Sequence, residues 1–476
     1  MSTYNAAIKK AFTKFTGEEP EFTVPLPPTA SNRLYFRLSG GNTSVIACYN
    51  PDRTENEAFL YITERLQKAG VKVPEIYYHD LDNHFYLQQD LGDVKLIDLV
   101  EEYRRNDNDE YIDWYRWVIN SMPAIQYTAS RDFDFSKCFP RESFDLQSIL
   151  WDLNYFKYYF LKLMHIPFHE QKLEDDFHVL TDFLLKAPSG FFLFRDFQSR
   201  NIMIVENDIY FIDYQGGRRG SLQYDLASLL YEAKIALTSE QRNALLEHYL
   251  DVYSTFSFFD RSEFLKFYPA FVLIRMLQAF GAYGYRGYFE RKSFFLRSVP
   301  GALQNLKYHL ENSELGVKIP HLRDALNEMV SSTSFVIPET RYDKMTVSIS
   351  SFAFKSGIPA DFSGHGGGFV FDCRALPNPG RYDEYRDLTG KDDAVIQFMD
   401  SKSEVLNFIR RSAELAASSV RNYLERGHEH LMISFGCTGG QHRSVYCAEK
   451  LAESLRKEFD ITISLNHLGL EKDSDD

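Results

Sequence analysis

The chain holds few cysteines: Cys48, Cys138, Cys373, Cys437 and Cys447 make five in 476 residues, with no C-x-x-C pair. An odd, scattered set fits a reducing compartment better than a disulfide framework. No uninterrupted apolar run reaches bilayer length. Phe267 to Phe289 comes nearest and is broken by Arg275 and Arg286, so it reads as a buried helix. The opening residues, MSTYNAAIKKAFTKF, alternate polar and apolar side chains at helical spacing without the apolar core of an export signal. A cytoplasmic protein with no membrane partner is the expectation. Positive charge is also short: 53 Lys and Arg face 67 Asp and Glu, a formal net charge of −14. That balance disfavours a non-specific polyanion binder, while leaving room for a local basic cleft. No G-x-x-x-x-G-K-[ST] run occurs, which excludes a P-loop NTPase.

What is present is apolar and aromatic, 44% and 15% of the residues, ample for real cores, and the length suggests about three domains or lobes. After an opening helix, RLYFRLSG and TSVIACYN read as a strand pair turning at Gly40-Gly41-Asn42. A helix from Glu55 to Gly70 and strands near Glu75 to Tyr78 and His84 to Gln89 complete a small β-rich lobe, residues 1–92, closed by the polar crossover Asp90-Leu91-Gly92-Asp93. Residues 93–330 show mostly helical periodicity, rich in Tyr and Phe. The Ser/Thr-rich stretch 331–344 is the expected linker, and 345–476 reads as a separate domain of strand, strand, helix, strand, helix, strand. The expected fold class is α/β (α+β): a two-lobed unit followed by a compact α/β sandwich.

Residues 192 to 214, FLFRDFQSRNIMIVENDIYFIDY, carry Asp196, Asn201 five positions later, and Asp213, on two short apolar runs joined by a turn. Phosphoryl transfer needs a carboxylate to orient and deprotonate a hydroxyl, and oxygen ligands for the Mg²⁺ that bridges the phosphates. Asp196, Asn201 and Asp213 fit those roles in order. Phe194-Arg195-Asp196 with Asn201 matches H-R-D-x-x-x-x-N, whereas D-F-G keeps only Asp213 before Tyr214 and Gln215. That departure argues against a protein kinase, not against transfer chemistry. Alone, Asp196 would read as an Asx turn or a helix cap; its conjunction with Asn201, Asp213 and the downstream YDLASLL favours chemistry.

Together FRDFQSRN, FIDY and YDLASLL (Tyr224 to Leu230) resemble the aminoglycoside and choline phosphotransferase family. SNRLYFRL, ENEAFLYI and QDLGD bring the likeness nearest to AmgK-type kinases, which phosphorylate the anomeric hydroxyl of N-acetylmuramate or N-acetylglucosamine. The resemblance implies a protein-kinase-like two-lobed fold that uses ATP and Mg²⁺. It implies Asp196 as catalytic base, Asn201 and Asp213 as Mg²⁺ ligands, and Arg195 and Asp225 as supports of the catalytic loop. Glu57 is implied as the helix carboxylate facing the nucleotide and Gln89 as a further nucleotide contact. TSVIACYN contains no lysine and TASNRLYF no G-x-G-x-x-G, so Ser31, Asn32 and Arg33 are the expected phosphate donors. A degenerate domain that binds nucleotide without turnover is the alternative.

The second candidate site follows the apolar strand LMISF: GCTGGQHRS (Gly436 to Ser444) and then the helix VYCAEKLAESLRKEF. A glycine-containing loop between strand and helix aims backbone N–H groups and a positive helix end at one point, an anion site, and Arg443 adds a planar fork of donors. Cys437-x5-Arg443-Ser444 also matches the phosphate loop of cysteine-dependent phosphatases, and a plain tight turn is the bland alternative. SFAFKSGIP, FDCRALPNP, LTGKD and GCTGGQHRSVYCAEKLA, in that order, resemble the C-terminal domain of RapZ, the RNase adapter protein. That likeness implies binding of an amino-sugar phosphate, glucosamine 6-phosphate, by Cys437, Thr438, Gly439, Gly440, His442 and Arg443, with Asp372, Arg374 and Asn378 nearby. It also names a regulatory RNA as partner, although from Met345 onward 15 Lys and Arg face 20 Asp and Glu, which works against phosphate-backbone contacts. The family's NPHW stretch reads Asn378-Pro379-Gly380-Arg381 here. The combined expectation is a sugar or amino-sugar kinase joined to a module for a phosphorylated amino sugar; a non-catalytic adapter, a phosphatase, and a choline or aminoglycoside acceptor stay open.

Overall fold

The computed structural model describes residues 3–27, 33–290, 292–332, 344–359, 361 and 367–470. Most of the expected linker, 331–344, lies outside them. The chain divides into two compact units, Met1–Ala282 with Gly301–Ser332, and Tyr283–Pro300 with Thr333–Asp476.

The first unit opens with helix α1 (Thr3–Thr16) and a five-stranded sheet of β1 (Phe22–Pro25), β2 (Leu34–Gly40), β3 (Thr43–Tyr49), β4 (Ile76–Asp80) and β5 (Phe85–Gln89). Its order is β1-β2-β3-β5-β4 with every neighbouring pair antiparallel. The β2–β3 hairpin is set by its turn: Gly40 pairs with Thr43, and Gly41 takes a φ of 57° that suits glycine. Leu38, Val45, Ala47, Phe85 and Leu87 pack with Ile8 and Phe12 of α1 into one core. Helix α2 (Arg53–Lys68) starts where the Asp52 carboxylate accepts the Glu55 N–H, and it buries Ala58, Phe59, Ile62, Thr63 and Leu66 at helical spacing.

The helical remainder comprises α3 (Leu96–Arg105), α4 (Tyr111–Pro123), α5 (Leu146–Phe156), α6 (Glu170–Leu184), α7 (Gln223–Leu230), α8 (Ser239–Ser254), α9 (Arg261–Tyr283), α10 (Val299–Asn312) and α11 (Pro320–Ser331). Set among them are two short antiparallel ladders, β6 (Phe191–Leu193) with β9 (Arg218–Gly220), and β7 (Ile202–Val205) with β8 (Asp208–Phe211). A small antiparallel sheet with α1 and α2 packed on it, joined to a helical lobe that carries two loop-bearing ladders, is the protein-kinase-like fold. One continuous helical stretch, Arg261–Phe289, is long and apolar enough to cross a membrane by composition, yet most of its apolar window is buried within the protein.

The second unit carries a four-stranded parallel sheet of β10 (Thr346–Ala353), β11 (Gly368–Asp372), β12 (His430–Cys437) and β13 (Thr462–His467), in the order β11-β12-β10-β13. Helices α12 (Asp393–Asp400), α13 (Ser403–Glu425) and α14 (Arg443–Glu458) complete it. Val347, Ile349, Leu431, Ile433 and Phe435 alternate along the strands and share a core with Val405, Ala416, Val420, Tyr446, Leu451 and Leu455. All five cysteines of the chain are free thiols and buried.

Backbone lies close to backbone where the LTGKD turn meets the start of α14. A Cβ on Gly390 would sit 2.3 Å from the His442 carbonyl oxygen and 2.5 Å from the Tyr446 nitrogen, whereas one on Gly439 would meet nothing within 4 Å. Gly390→Ala is expected to lower stability by roughly 1–3 kcal/mol through overpacking. Gly439→Ala should stay within about 0.5 kcal/mol of the parent. Chemical denaturation of both variants checks the pair, and equal stabilities would refute the account.

Candidate functional site

The chain leaves β6 through a strained turn that Asp225 holds. Arg195 has a φ of 85°, a left-handed conformation costing about 1–2 kcal/mol for a residue with a Cβ. The buried Asp225 carboxylate, on α7, accepts the N–H groups of Phe194 at 2.8 Å and Arg195 at 3.0 Å, and a third from Gln126 Nε2 at 3.3 Å. Burial pushes the Asp225 carboxyl up to about 6, against the pull of those three donors. The Arg195 guanidinium makes a bidentate pair with Asp152 of α5, at 2.8 and 2.6 Å, and lies over the Phe144 and Tyr224 rings. Downstream, Ser199 N–H donates to Glu232 at 2.9 Å.

Between these anchors Asp196 is half-buried, and its carboxylate has no hydrogen-bond partner among the described residues. Asn201 Nδ2 donates to the Asp196 backbone carbonyl at 2.8 Å, which leaves the Asn201 side-chain oxygen available. The Asn201 carbonyl accepts the Ile212 N–H at 3.0 Å, bringing the exposed Asp213 alongside; Gln215 Nε2 donates to Asp213 Oδ1 at 2.8 Å. The structure thus brings Arg195, Asp196, Asn201, Asp213 and Asp225 into one loop cluster.

Tyr214, next to Asp213, ties that cluster to α2. Its ring stacks on Phe59 at 5.1 Å, its hydroxyl shares a 2.8 Å hydrogen bond with Thr63, and Phe59 stacks in turn on Tyr86 at 4.7 Å. On the same helix Glu55 lies 2.9 Å from the guanidinium of Arg33, which is 3% exposed and faces the Phe59 ring. Glu57 does not take the place expected of it. It points to the other side, half exposed, and pairs with Arg53 one helical turn back; two residues along a helix are about 200° apart, so only one of the two acids can face inward. Gln89 ends β5, its side-chain oxygen accepting the Glu75 N–H at 3.3 Å. Ser31 and Asn32 lie outside the described residues.

In the second unit β12 delivers Cys437 to the loop and α14 starts at Arg443. The thiol is 3% exposed, taking the Gly440 N–H at 3.2 Å and lying 3.1 Å from Ser444 Oγ. Gly440 has a φ of 75°, and Thr438 and Gly439 are the exposed members of the turn. Arg443 is buried: Nη1 donates to the carbonyls of Arg374 and Leu376, and Nη2 to Thr438 Oγ1 at 3.3 Å. His442 Nε2 lies 2.8 Å from the Tyr385 carbonyl. Arg374 and Asp372 form an exposed ion pair at the end of β11, and the Asn378 side chain caps the turn at Gly380. The loop therefore presents exposed backbone around Thr438 and Gly439, with the thiol turned inward.

Residues 23–261 match the model of the phosphotransferase enzyme family. The chain belongs to that family. Residues 345–471 match the model of the RapZ C-terminal domain. Similar curated proteins include nucleotide-binding proteins from Acidothermus cellulolyticus, 38% identical over 133 residues (27% of this chain, 41% of the relative), and from Xylella fastidiosa, 32% over 181 residues (33% and 61%). The chain thus covers no more than 61% of those relatives' own length. Among solved structures, choline kinase LicA from Streptococcus pneumoniae aligns at 15% identity and a TM-score of 0.42 (64% of this chain, all of that one). Choline kinase from Cryptosporidium parvum aligns at 12% and 0.46 (68% and 99%).

Asp152, Glu232 and Glu55 were not singled out by sequence reasoning. The available signal was an acid on an otherwise apolar helix face, as in LQSILWDLNYF, since an acid is rarely buried unless paired. The Asp225 clamp makes the phosphotransferase loop sensitive to acid. As pH falls through about 6 the carboxyl takes a proton and one of its oxygens loses acceptor capacity, so activity is expected to fall with an acid-side midpoint near that value. Asp225→Ala leaves two buried N–H groups unpaired, at a cost of roughly 2–5 kcal/mol. A pH–rate profile and a denaturation curve check these outcomes; activity flat from pH 8 to 5 would refute the first.

Proposed function

We propose that the first unit transfers the γ-phosphoryl group of ATP to a hydroxyl of an amino sugar, of the N-acetylmuramate or N-acetylglucosamine type at its anomeric position. The second unit binds a phosphorylated amino sugar. The observation that carries the first half is the unpartnered, half-buried Asp196 carboxylate held on an immobilised turn beside Asn201 and Asp213. Asp196 orients the acceptor hydroxyl and takes its proton. The donor set suits Mg²⁺: Asn201 and Asp213 offer two oxygens and leave positions for phosphates and water. Bound there, Mg²⁺ supplies charge neutralisation on the phosphates. Arg33, oriented by Glu55, takes the phosphate-anchoring place left by the absent strand lysine. Backbone strain at Arg195 keeps the Asp196 side chain oriented before substrate arrives.

For the second unit the support is the exposed Thr438-Gly439 turn at the start of α14, where backbone N–H groups and the helix end favour a phosphate. The buried Cys437 thiol favours binding over nucleophilic attack.

ATP consumption with Mg²⁺ is to be measured across N-acetylmuramate, N-acetylglucosamine, glucosamine, choline and kanamycin. Turnover on one amino sugar is expected to fall at least about 10³-fold in Asp196→Asn. Glu55→Gln should raise the KM for ATP severalfold while Glu57→Gln leaves it unchanged. Full turnover in Asp196→Asn, or turnover confined to choline or kanamycin, would sink this reading. For the second unit, calorimetry with glucosamine 6-phosphate should show binding that Gly439→Val removes by filling the open space beside the turn; affinity unaltered by that change would place the ligand elsewhere.

A further inference from the structure

Arg218, at the start of β9, is buried to 5% exposure and has few partners. Its Nε donates to the Gly216 carbonyl at 3.1 Å, and Nη1 lies 3.5 Å from Ser148 Oγ, the outer limit of a hydrogen bond. No carboxylate of the described residues pairs with it; the nearby Asp152 is occupied by both prongs of Arg195. Arg275, buried to the same extent, has two bonds of 2.8–2.9 Å. Register places Arg218 opposite Leu193, three residues before Asp196. Burial first, then the Arg195 charge, draws the Arg218 pKa down to about 10, with Asp152, Tyr224 and Asp196 acting in the other direction. A guanidinium removed from water without a carboxylate paired to it is costly, and an incoming anion would relieve it.

We propose that Arg218 is a catalytic residue that binds an anionic oxygen of the substrates beside Asp196. This rests on the phosphotransferase reading above and adds a cation to it. In the transfer, the acceptor hydroxyl proton passes to Asp196 and the acceptor oxygen bonds to the γ-phosphorus. The bond from that phosphorus to the β–γ bridging oxygen breaks, and ADP leaves with that electron pair. Charge on the transferring oxygens needs a fixed donor, and an arginine built into the chain can serve as one. An anionic substituent on the acceptor is the other source of the same chemistry.

The test uses the full chain and the variants Arg218→Met and Arg218→Lys. Measured are kcat and KM on the best acceptor, calorimetric binding of ADP with Mg²⁺ and fluoroaluminate, and the melting temperature without ligands. If the oxygen belongs to the transferring phosphoryl group, Arg218→Met loses about 10²- to 10³-fold in kcat with KM values little changed. Fluoroaluminate then no longer tightens ADP, and Arg218→Lys recovers part of the loss. If it belongs to the acceptor, the acceptor KM rises at least tenfold for anionic acceptors alone and kcat holds. In both cases the unliganded melting temperature of Arg218→Met stays level or rises, since an uncompensated buried charge has gone; a purely structural role would lower it. Parental kcat, KM and fluoroaluminate response in a folded Arg218→Met overturns the proposal. Should the parent protein turn over no acceptor, binding of inorganic phosphate decides Arg218 separately: affinity lost in Arg218→Met supports the role, and equal affinity overturns it.

Discussion

The candidate transfer site depends on one carboxylate accepting two consecutive backbone N–H groups. Asp225 closes on Phe194 and Arg195, and the left-handed turn at Arg195 persists because that clamp offsets its strain. Every other feature of the loop is downstream of this contact. The turn sends the Arg195 side chain back to Asp152 and sends Asp196 forward. Asn201 can then hold the Asp196 carbonyl, and β8 can set Asp213 beside it. A carboxylate is better suited to this than a neutral amide, since it accepts on both oxygens, but burial disfavours its charge. The raised pKa of Asp225 is the visible sign of those opposed effects.

A second constraint couples the loop to the small sheet. Tyr214 stands where the commoner D-F-G sequence has phenylalanine, and its hydroxyl gives it something that phenylalanine lacks, a buried bond to Thr63 on α2. The same helix face carries Phe59, stacked between Tyr214 and Tyr86, and Glu55, paired with Arg33. A rotation of α2 would disturb the aromatic stack and the ion pair together, so Arg33 and the Asp213 end of the loop are packed as one body. This bears on the absence of a lysine in β3: the positive charge enters from the residue before β2, and it meets its acid on the same helix.

Much of this was legible from residue order. The spacing of Asp196, Asn201 and Asp213 is local, and local spacing survives folding intact. Strand and helix periods located α2, α13, α14 and β10 to β13 within a residue or two, because each of these helices has one apolar face and the strands are short apolar runs bounded by polar residues or turns. What escaped was relational. Choosing between Glu55 and Glu57 requires knowing which face of α2 meets the sheet, and ENEAFLYITERL offers acids on both. Asp152 lies 43 residues before the arginine it holds, and nothing in its neighbourhood points there. The four-residue strand β1 has mostly exposed side chains and so lacks the alternation that marks a half-buried strand.

The two units differ in what they leave open to an anion. In the first, side-chain cations, Arg33 and Arg218, stand about a loop whose backbone N–H groups at Phe194 and Arg195 are already occupied by Asp225. In the second the assignment is reversed. Arg443 is occupied by the carbonyls of Arg374 and Leu376 and by Thr438, so it braces the turn, and the exposed backbone at Thr438 and Gly439 is what remains for a ligand. A phosphate in transfer is met best by fixed cations aimed at the charge that develops, and a phosphate that is only to be held is met by a rigid cradle of N–H groups. Buried Arg33 and Arg218 suit the former and the Thr438-Gly439 turn the latter, which is the division of labour expected if one unit makes a phosphorylated sugar and the other binds one.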